Sequence, residues 1–449
     1  MRTTLRDHWI FLLVFLGTCT FYFLGASDVP FHPDESTYLY MGADLKHLFS
    51  NPQTLAWESG QPITDEVRYR MIDAPLTRYL VGIGQFLSGK QALPADWNWS
   101  SSWEMNKISG ALPNVDLLIL GRLAVGCFFP LSVILIYLNC LRIDGKMMGI
   151  ISVLFFAFHP LTLLHTRRAM AESVLVFAIL FTLFALLGKN QRAFLTGFVL
   201  ALAFNAKHSA ILLMPVGLIA VCWVPASSPV MTSRIAKNII NYLLGFILLT
   251  VLLNPVFWRN PFAAVEEALY QRQNLLERQV VDARIISPQL VLESPLERVA
   301  VTLGQVYLAP PIFSEVGNYR TETEFSEDQY LDKYGNNLGR NVYSAAIFLG
   351  STLLGIIASF RRVSQHGFYQ EKSLTLILLS FFTLLIGMIA TIPLAWQRYS
   401  IPLVPFISIF ASLGLVWIIK ISRRVVSSGR LVGRLSQILS QFAPDSWMS

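Results

Sequence analysis

VDLLILGRLAVGCFFPLSVILIYLNC, residues 115–140, carries only two charged side chains in a run longer than the roughly 20 apolar residues that a membrane-spanning helix needs. Reading outward from it, further apolar runs cover residues 9–25, 147–164, 171–188, 193–206, 209–225, 238–257, 341–360, 373–393 and 400–420. Several are short, which is tolerated where long side chains at their ends reach back to the interface. Composition agrees: 54% of the 449 residues are hydrophobic, 14% are charged and mean hydropathy is +0.51. That is far more apolar surface than one soluble core needs. The sequence predicts an all-α polytopic membrane protein with about ten transmembrane helices.

The 35 Lys and Arg exceed the 28 Asp and Glu, for a formal net charge of +7. These cations gather at the ends of apolar runs rather than in one patch, so the expected partner is membrane lipid and no nucleic acid is expected. Cys19, Cys127, Cys140 and Cys222 fall inside apolar runs, where each reads as a small buried hydrophobe rather than half of a disulfide. The first run, preceded by Arg2 and Arg6, resembles a signal peptide, but it is long and no A-x-A site follows. It is expected to stay as a spanning helix.

Arg2/Arg6, Arg142/Lys146, Lys189/Arg192, Arg234/Lys237, Arg361/Arg362 and Arg423/Arg424 occupy the N-terminus, alternate short connections and the C-terminus. Lys and Arg accumulate on the cytoplasmic side of membranes, so these pairs define that face and both termini are expected on it. The same threading sends two long loops, residues 27–114 and 258–340, to the extracytoplasmic face of a single membrane domain covering 1–449. In the first loop, 37–49 and 75–87 have the spacing of amphipathic surface helices, and Trp97, Trp99 and Trp103 suit a water-lipid interface. In the second, 263–278 and 295–308 have helical spacing, while 321–337 is an acidic stretch expected to order only with substrate.

The segment Phe31-His32-Pro33-Asp34-Glu35-Ser36-Thr37-Tyr38 follows the first run directly, at the bilayer edge. Pro33 suits a first helical turn, which sets Asp34 and Glu35 near a helix N-terminus. Acids there meet the helix dipole favourably whether or not they do chemistry. A second signal comes from cations. Arg167, Arg168, Lys207 and Arg398 stand at three short outer turns, where the charge rule disfavours them. A phosphate accounts for all of them together; headgroup contact or snorkelling accounts for each singly. His165 and His208 share these turns, and Glu172 begins a span.

These pieces come in a telling order: Asp34-Glu35, Asp73-Ala74-Pro75-Leu76-Thr77-Arg78-Tyr79, Arg168-Ala169-Met170-Ala171-Glu172, Asn205-Ala206-Lys207-His208, and Trp396-Gln397-Arg398-Tyr399-Ser400-Ile401-Pro402-Leu403-Val404-Pro405. The order resembles family 39 glycosyltransferases of the GT-C fold, the class of protein O-mannosyltransferases and lipid A aminoarabinose transferases. The likeness covers about the first half of the chain and the last two spans, and leaves 258–340 unmatched. It departs at Asp73 and Ala74, which stand where family members often have the His and first Pro of a His-Pro-Pro-Leu run.

The resemblance implies a GT-C-like bundle and an inverting hexosyl or pentosyl transfer from a polyprenyl-phosphate sugar donor to an acceptor hydroxyl. The acceptor is left open among lipid, glycan and protein. It also implies Asp34 as general base, with Glu35 beside it orienting the acceptor or a cation. A phosphate leaving group needs fixed positive charge, which Arg167, Arg168, Lys207 and Arg398 offer. His32, Asp73, Glu172, His208 and Tyr399 are further candidates for substrate contact. No cofactor or metal is expected, since His32, Asp34 and Glu35 are too closely spaced to converge on one ion. A transporter or flippase of lipid-linked substrates shares the outer cations, but such folds tend to show related halves, and no internal repeat is visible. A non-catalytic subunit would need no acid in the first loop.

Overall fold

A computed structural model describes residues 8–188, 192–223, 231–314 and 317–427. Arg2, Arg6 and Lys189 of the charge pattern lie outside them. Among the described residues the chain is helical, and its only β pairing is an isolated bridge between Val291 and Leu394. Five helices are long and apolar enough to cross a membrane: Val115–Leu141, Thr232–Leu253, Val342–His366, Lys372–Thr391 and Gln397–Arg423. Five shorter apolar helices are Trp9–Leu24, Lys146–Ala157, Ala171–Leu186, Ala193–Ala206 and His208–Val221. Each overlaps one of the apolar runs, and the chain is a multi-pass membrane protein.

Prolines account for the main differences from the runs. Pro130 has no N–H to give the Gly126 carbonyl, and the helix turns at Cys127 between Val115–Gly126 and Phe128–Leu141. Pro160 likewise ends the 147–164 run at Ala157, and His159 caps a short separate helix, Pro160–His165, by accepting from the Leu161 N–H at 3.2 Å. Near the C-terminus, Gln397–Leu403 is a 3-10 turn containing Pro402, and the long helix Val404–Ser427 starts after it.

Two helix pairs approach through glycines contributed by both members. A Cβ on Gly355 would strike the Phe410 carbonyl, and one on Gly414 would strike the Ser351 carbonyl, so Val342–His366 and Val404–Ser427 touch backbone to backbone. Gly197 and Gly245 do the same for Ala193–Ala206 and Met231–Leu253, against the Tyr242 and Phe194 carbonyls. Within lipid, where apolar side chains gain little by leaving their surroundings, such close packing holds helices together. Buried hydroxyls and amides assist: Ser152 Oγ lies 2.8 Å from Ser412 Oγ, and Asn254 donates to Asn205 at 2.6 Å.

The loops are folded on top of this bundle. The first forms Pro33–Met41, Asp44–Ser50, Asp65–Ile72, Pro75–Ser88 and Trp103–Ile108. Of its tryptophans Trp97 is buried, Trp103 half-buried and Trp99 exposed, and Phe31, Trp97, Trp103 and Tyr319 meet with ring centroids 5.6 to 6.2 Å apart. The second loop forms Pro261–Ile286, Pro295–Tyr307 and Arg320–Asp332. The acidic stretch expected to order only with substrate is therefore a helix held by the chain's own contacts. Tyr330 is buried against Phe313, and beyond the helix Asn336 accepts from Arg167 at 3.1 Å.

Gly355→Leu should force its helix pair apart and cost about 1–3 kcal/mol, the range for overpacking. Gly350→Leu, in the same helix with nothing within 4 Å of the new Cβ, should leave stability unchanged. Thermal midpoints of the detergent-solubilised variants check this, and equal losses at both positions would contradict it.

Candidate functional site

The site begins with local chemistry at the start of Pro33–Met41. The Asp34 N–H donates to His32 Nδ1 and the His32 N–H to a Glu35 carboxylate oxygen, both at 3.1 Å, a capping box with Pro33 in the first turn. Glu35 then accepts from Arg122 Nε at 2.8 Å and Nη2 at 2.9 Å, and from the Ala169 N–H at 2.8 Å. Arg122 turns its remaining nitrogen to the Ala26 and Val29 carbonyls, at 3.0 and 2.8 Å. Both partners are buried. Burial alone would raise the Glu35 carboxyl, but the Arg122 charge and hydrogen bonds, with Arg168 and the Ala169 N–H, hold it below the usual carboxylate range.

Asp34, next along the helix, turns the other way and borders a cavity of about 800 Å³. Asp73, Glu172, Lys207, Arg398 and Tyr399 border the same cavity. Asp34 is ion-paired with Arg398 yet keeps 28% of its side chain exposed, so it remains reachable. Glu172 accepts from Lys207 at 2.8 Å rather than from Arg168, four residues before it. The cations also sit over rings: Arg398 lies 4.9 Å from the Trp396 centroid and Lys207 5.7 Å from that of Tyr399. The wall thus alternates carboxylate and cation. Asp73 is half-buried; burial and then the Asp34 charge raise its carboxyl above the ordinary aspartate range, against the pull of Arg272, Arg78 and Lys207.

Other expected site residues lie elsewhere. Arg167 donates to the Phe21 and Tyr22 carbonyls, both at 2.9 Å, and so closes the C-terminal end of the first apolar helix. Arg168 donates to the Phe313 carbonyl at 3.0 Å. Both are buried and neither borders the cavity, because carbonyl groups at the loop junctions take their donors. Glu35 is likewise withdrawn, by Arg122. His32 is buried in its cap, His165 is buried, and His208 packs on Phe204 with centroids 4.8 Å apart; none borders the cavity.

The cavity also has a wall that motif reading missed. Arg272, Leu275, Gln279, Asp282 and Ile286 repeat every three or four residues along Pro261–Ile286 and face it together, joined by Arg278. Helical spacing was visible over 263–278 and not beyond, and nothing in the sequence says which face meets the cavity. Arg122 did leave a signal, as a charge inside an otherwise apolar run, which asks for a partner.

No protein-family model matches the sequence, and no curated protein sequence matches it. By structure, 17 solved chains match. One is the Archaeoglobus fulgidus oligosaccharyltransferase in its apo form, at 12% identity and TM-score 0.47, covering 93% of this chain and 52% of that one. Another is ArnT from Cupriavidus metallidurans bound to undecaprenyl phosphate, at 12% identity and TM-score 0.48, covering 97% of this chain and 66% of that one. A third is the S. cerevisiae protein O-mannosyltransferase Pmt1-Pmt2 complex bound to the sugar donor, at 16% identity and TM-score 0.39, covering 59% and 35%. The chain spans about half the length of the oligosaccharyltransferase chains. Likeness at this distance assigns no residue a role.

Arg122→Ala would strand Glu35 in the interior and should cost about 3–5 kcal/mol, read as a fall in thermal midpoint. The pH dependence follows from the lowered Glu35 carboxyl. Its contribution is present above the ordinary glutamate value near 4.3 and fades as pH falls toward the lower folded value. The midpoint gap between wild type and Glu35→Gln should therefore be full at pH 7 and shrink below about pH 4.

Proposed function

We propose that the chain is a membrane glycosyltransferase that moves a hexosyl or pentosyl group from a polyprenyl-phosphate donor to an acceptor hydroxyl, with inversion and Asp34 as general base. One observation carries the reading. Of two adjacent acids, Glu35 is consumed by Arg122, while Asp34 borders a cavity that also carries Arg398 and Lys207. The order of motifs along the chain supports the same reading. A volume of about 800 Å³ lies within the roughly 300–1,000 Å³ of small-molecule sites, room for a sugar and a phosphate with the polyprenyl tail left in lipid.

In the proposed reaction the acceptor oxygen attacks the anomeric carbon, its proton passes to the Asp34 carboxylate, and the bond from that carbon to the phosphate oxygen breaks. Polyprenyl phosphate leaves with the bonding electrons, and the new bond forms on the opposite face of the ring. A neutral hydroxyl is a poor nucleophile, and a positioned carboxylate speeds such a step by about 10²- to 10⁴-fold. Arg398 and Lys207 receive the leaving phosphate, the Arg398 fork suiting two oxygens. Both cations hold carboxylates before the donor arrives, so the incoming phosphate competes for Arg398 and releases Asp34 from its partner. The donor thereby prepares the base.

The reading sets this cavity on the extracytoplasmic side and both termini in the cytoplasm. That part rests on the Lys and Arg of the short connections, Arg142, Lys146, Arg234, Lys237, Arg361 and Arg362 among them.

Asp34→Asn keeps the shape and removes the base. Transfer from a radiolabelled polyprenyl-phosphate hexose in membranes should drop by about 10²- to 10⁴-fold while donor binding persists. Unchanged transfer would remove the base assignment. Unchanged translocation of the labelled lipid with no transfer in wild type would favour a flippase.

A further inference from the structure

We infer that Trp99 is a stacking ledge for a pyranose ring and that the acceptor is a saccharide. The ledge stands on contacts alone; only the word acceptor rests on the transferase reading. Trp99 borders the cavity with Ser100, Gly317 and Asn318, and 42% of it is exposed, whereas neighbouring Trp97 is buried. It is held from behind. The His32 and Tyr319 rings, both buried, meet it edge-on with centroids 6.4 and 6.0 Å away.

The two loops are joined beneath it. Asn318 accepts from Trp97 Nε1 at 3.2 Å and donates to the carbonyls of Asn98, at 3.2 Å, and Ser101. Gly317 passes the ledge at φ +133°, where a Cβ would lie 3.0 Å from the Tyr319 ring and 3.4 Å from Trp99. A side chain there would be strained and crowded, so glycine is what lets the second loop close against the indole.

A fixed indole with a large exposed surface, facing a cavity walled by both charged and apolar side chains, is not core. It suits a ligand with one apolar face and a hydroxylated rim, which is the form of a pyranose: its C–H face leaves water on the indole while its hydroxyls keep polar partners. Thr37, Arg68, Ser100 and Asn318 supply polar groups on the cavity wall that can partner ring hydroxyls. Position separates acceptor from donor. Arg398 and Lys207 are grouped with Trp396 and Tyr399, whereas Trp99 is grouped with His32 and Tyr319. Asp34 touches both groups, through Arg398 and through His32 Nδ1 at 3.9 Å from its carboxylate. In this proposal a ring on Trp99 reaches Asp34 by way of the His32 group, and the donor phosphate reaches it by way of the Arg398 group.

The test is saturation-transfer NMR on full-length protein in nanodiscs, with mannobiose, maltose, cellobiose and a Ser/Thr hexapeptide as probes, for wild type, Trp99→Ala and Trp99→Phe. At least one disaccharide should bind wild type, weaken about tenfold in Trp99→Ala and stay within about threefold in Trp99→Phe, which keeps a stacking face, all read at a temperature below the three thermal midpoints. No disaccharide binding to wild type, or equal binding to wild type and Trp99→Ala, would overturn the ledge; Trp99 dependence for the hexapeptide alone would overturn the saccharide. Binding of polyprenyl phosphate and its hexose conjugate should be the same in wild type and Trp99→Ala; weakening of the conjugate alone would give the ledge to the donor sugar and overturn the acceptor assignment. Trp99-dependent sugar binding by a protein that transfers nothing would remove the transferase reading and leave the ledge standing.

Discussion

The ion pair of Glu35 with Arg122 ties together four parts of the chain that are distant in sequence. It joins the start of the first surface helix, the carbonyls of Ala26 and Val29 at the exit of the first apolar helix, the long apolar helix that carries Arg122, and the turn at Ala169. Two buried charges are costly unless each donor and acceptor is matched, and here the carboxylate accepts two bonds from Arg122, one from Ala169 and one from His32. Satisfying that requirement anchors the start of the loop on the bundle. The orientation of Asp34 toward the cavity is a by-product of it.

The cavity then inherits a balance of charge. Asp34 with Arg398 and Glu172 with Lys207 form two pairs across its wall, and the long second-loop helix adds Arg272 and Arg278. An anion entering such a place meets cations already oriented by carboxylates and rings, and it binds by competing with those carboxylates for them. The same pairs hold those carboxylates in place in its absence. Asp73 differs: burial and then the Asp34 charge raise its carboxyl above the ordinary aspartate range.

Much of the architecture was legible in the sequence because bilayer thickness is a hard ruler and prolines are hard stops. The apolar runs and the helices overlap throughout; Pro130, Pro160 and Pro402 mark breaks within runs, while Met231–Leu253 and Val342–His366 extend past theirs. The site was legible only in part. Asp34, Lys207 and Arg398 stood out as charges at turns, and they share the cavity. Arg167 and Arg168 stood out for the same reason, yet they serve helix ends and loop carbonyls, a demand that depends on which backbone groups the fold leaves unpaired. Arg272 and Trp99 were missed because their importance lies in which face of a loop turns inward. Tertiary packing decides that, and no local pattern encodes it.

The central claim is that this cavity holds a lipid-linked sugar phosphate between Asp34 and the cations Arg398 and Lys207. Native mass spectrometry of the detergent-solubilised protein, incubated with a polyprenyl-phosphate hexose, tests it most directly. The account predicts a one-to-one adduct with wild type that is lost in the Lys207→Ala, Arg398→Ala double variant and retained in Arg298→Ala, a cation outside the cavity. An adduct equally abundant in the double variant, or no adduct with wild type, would contradict it.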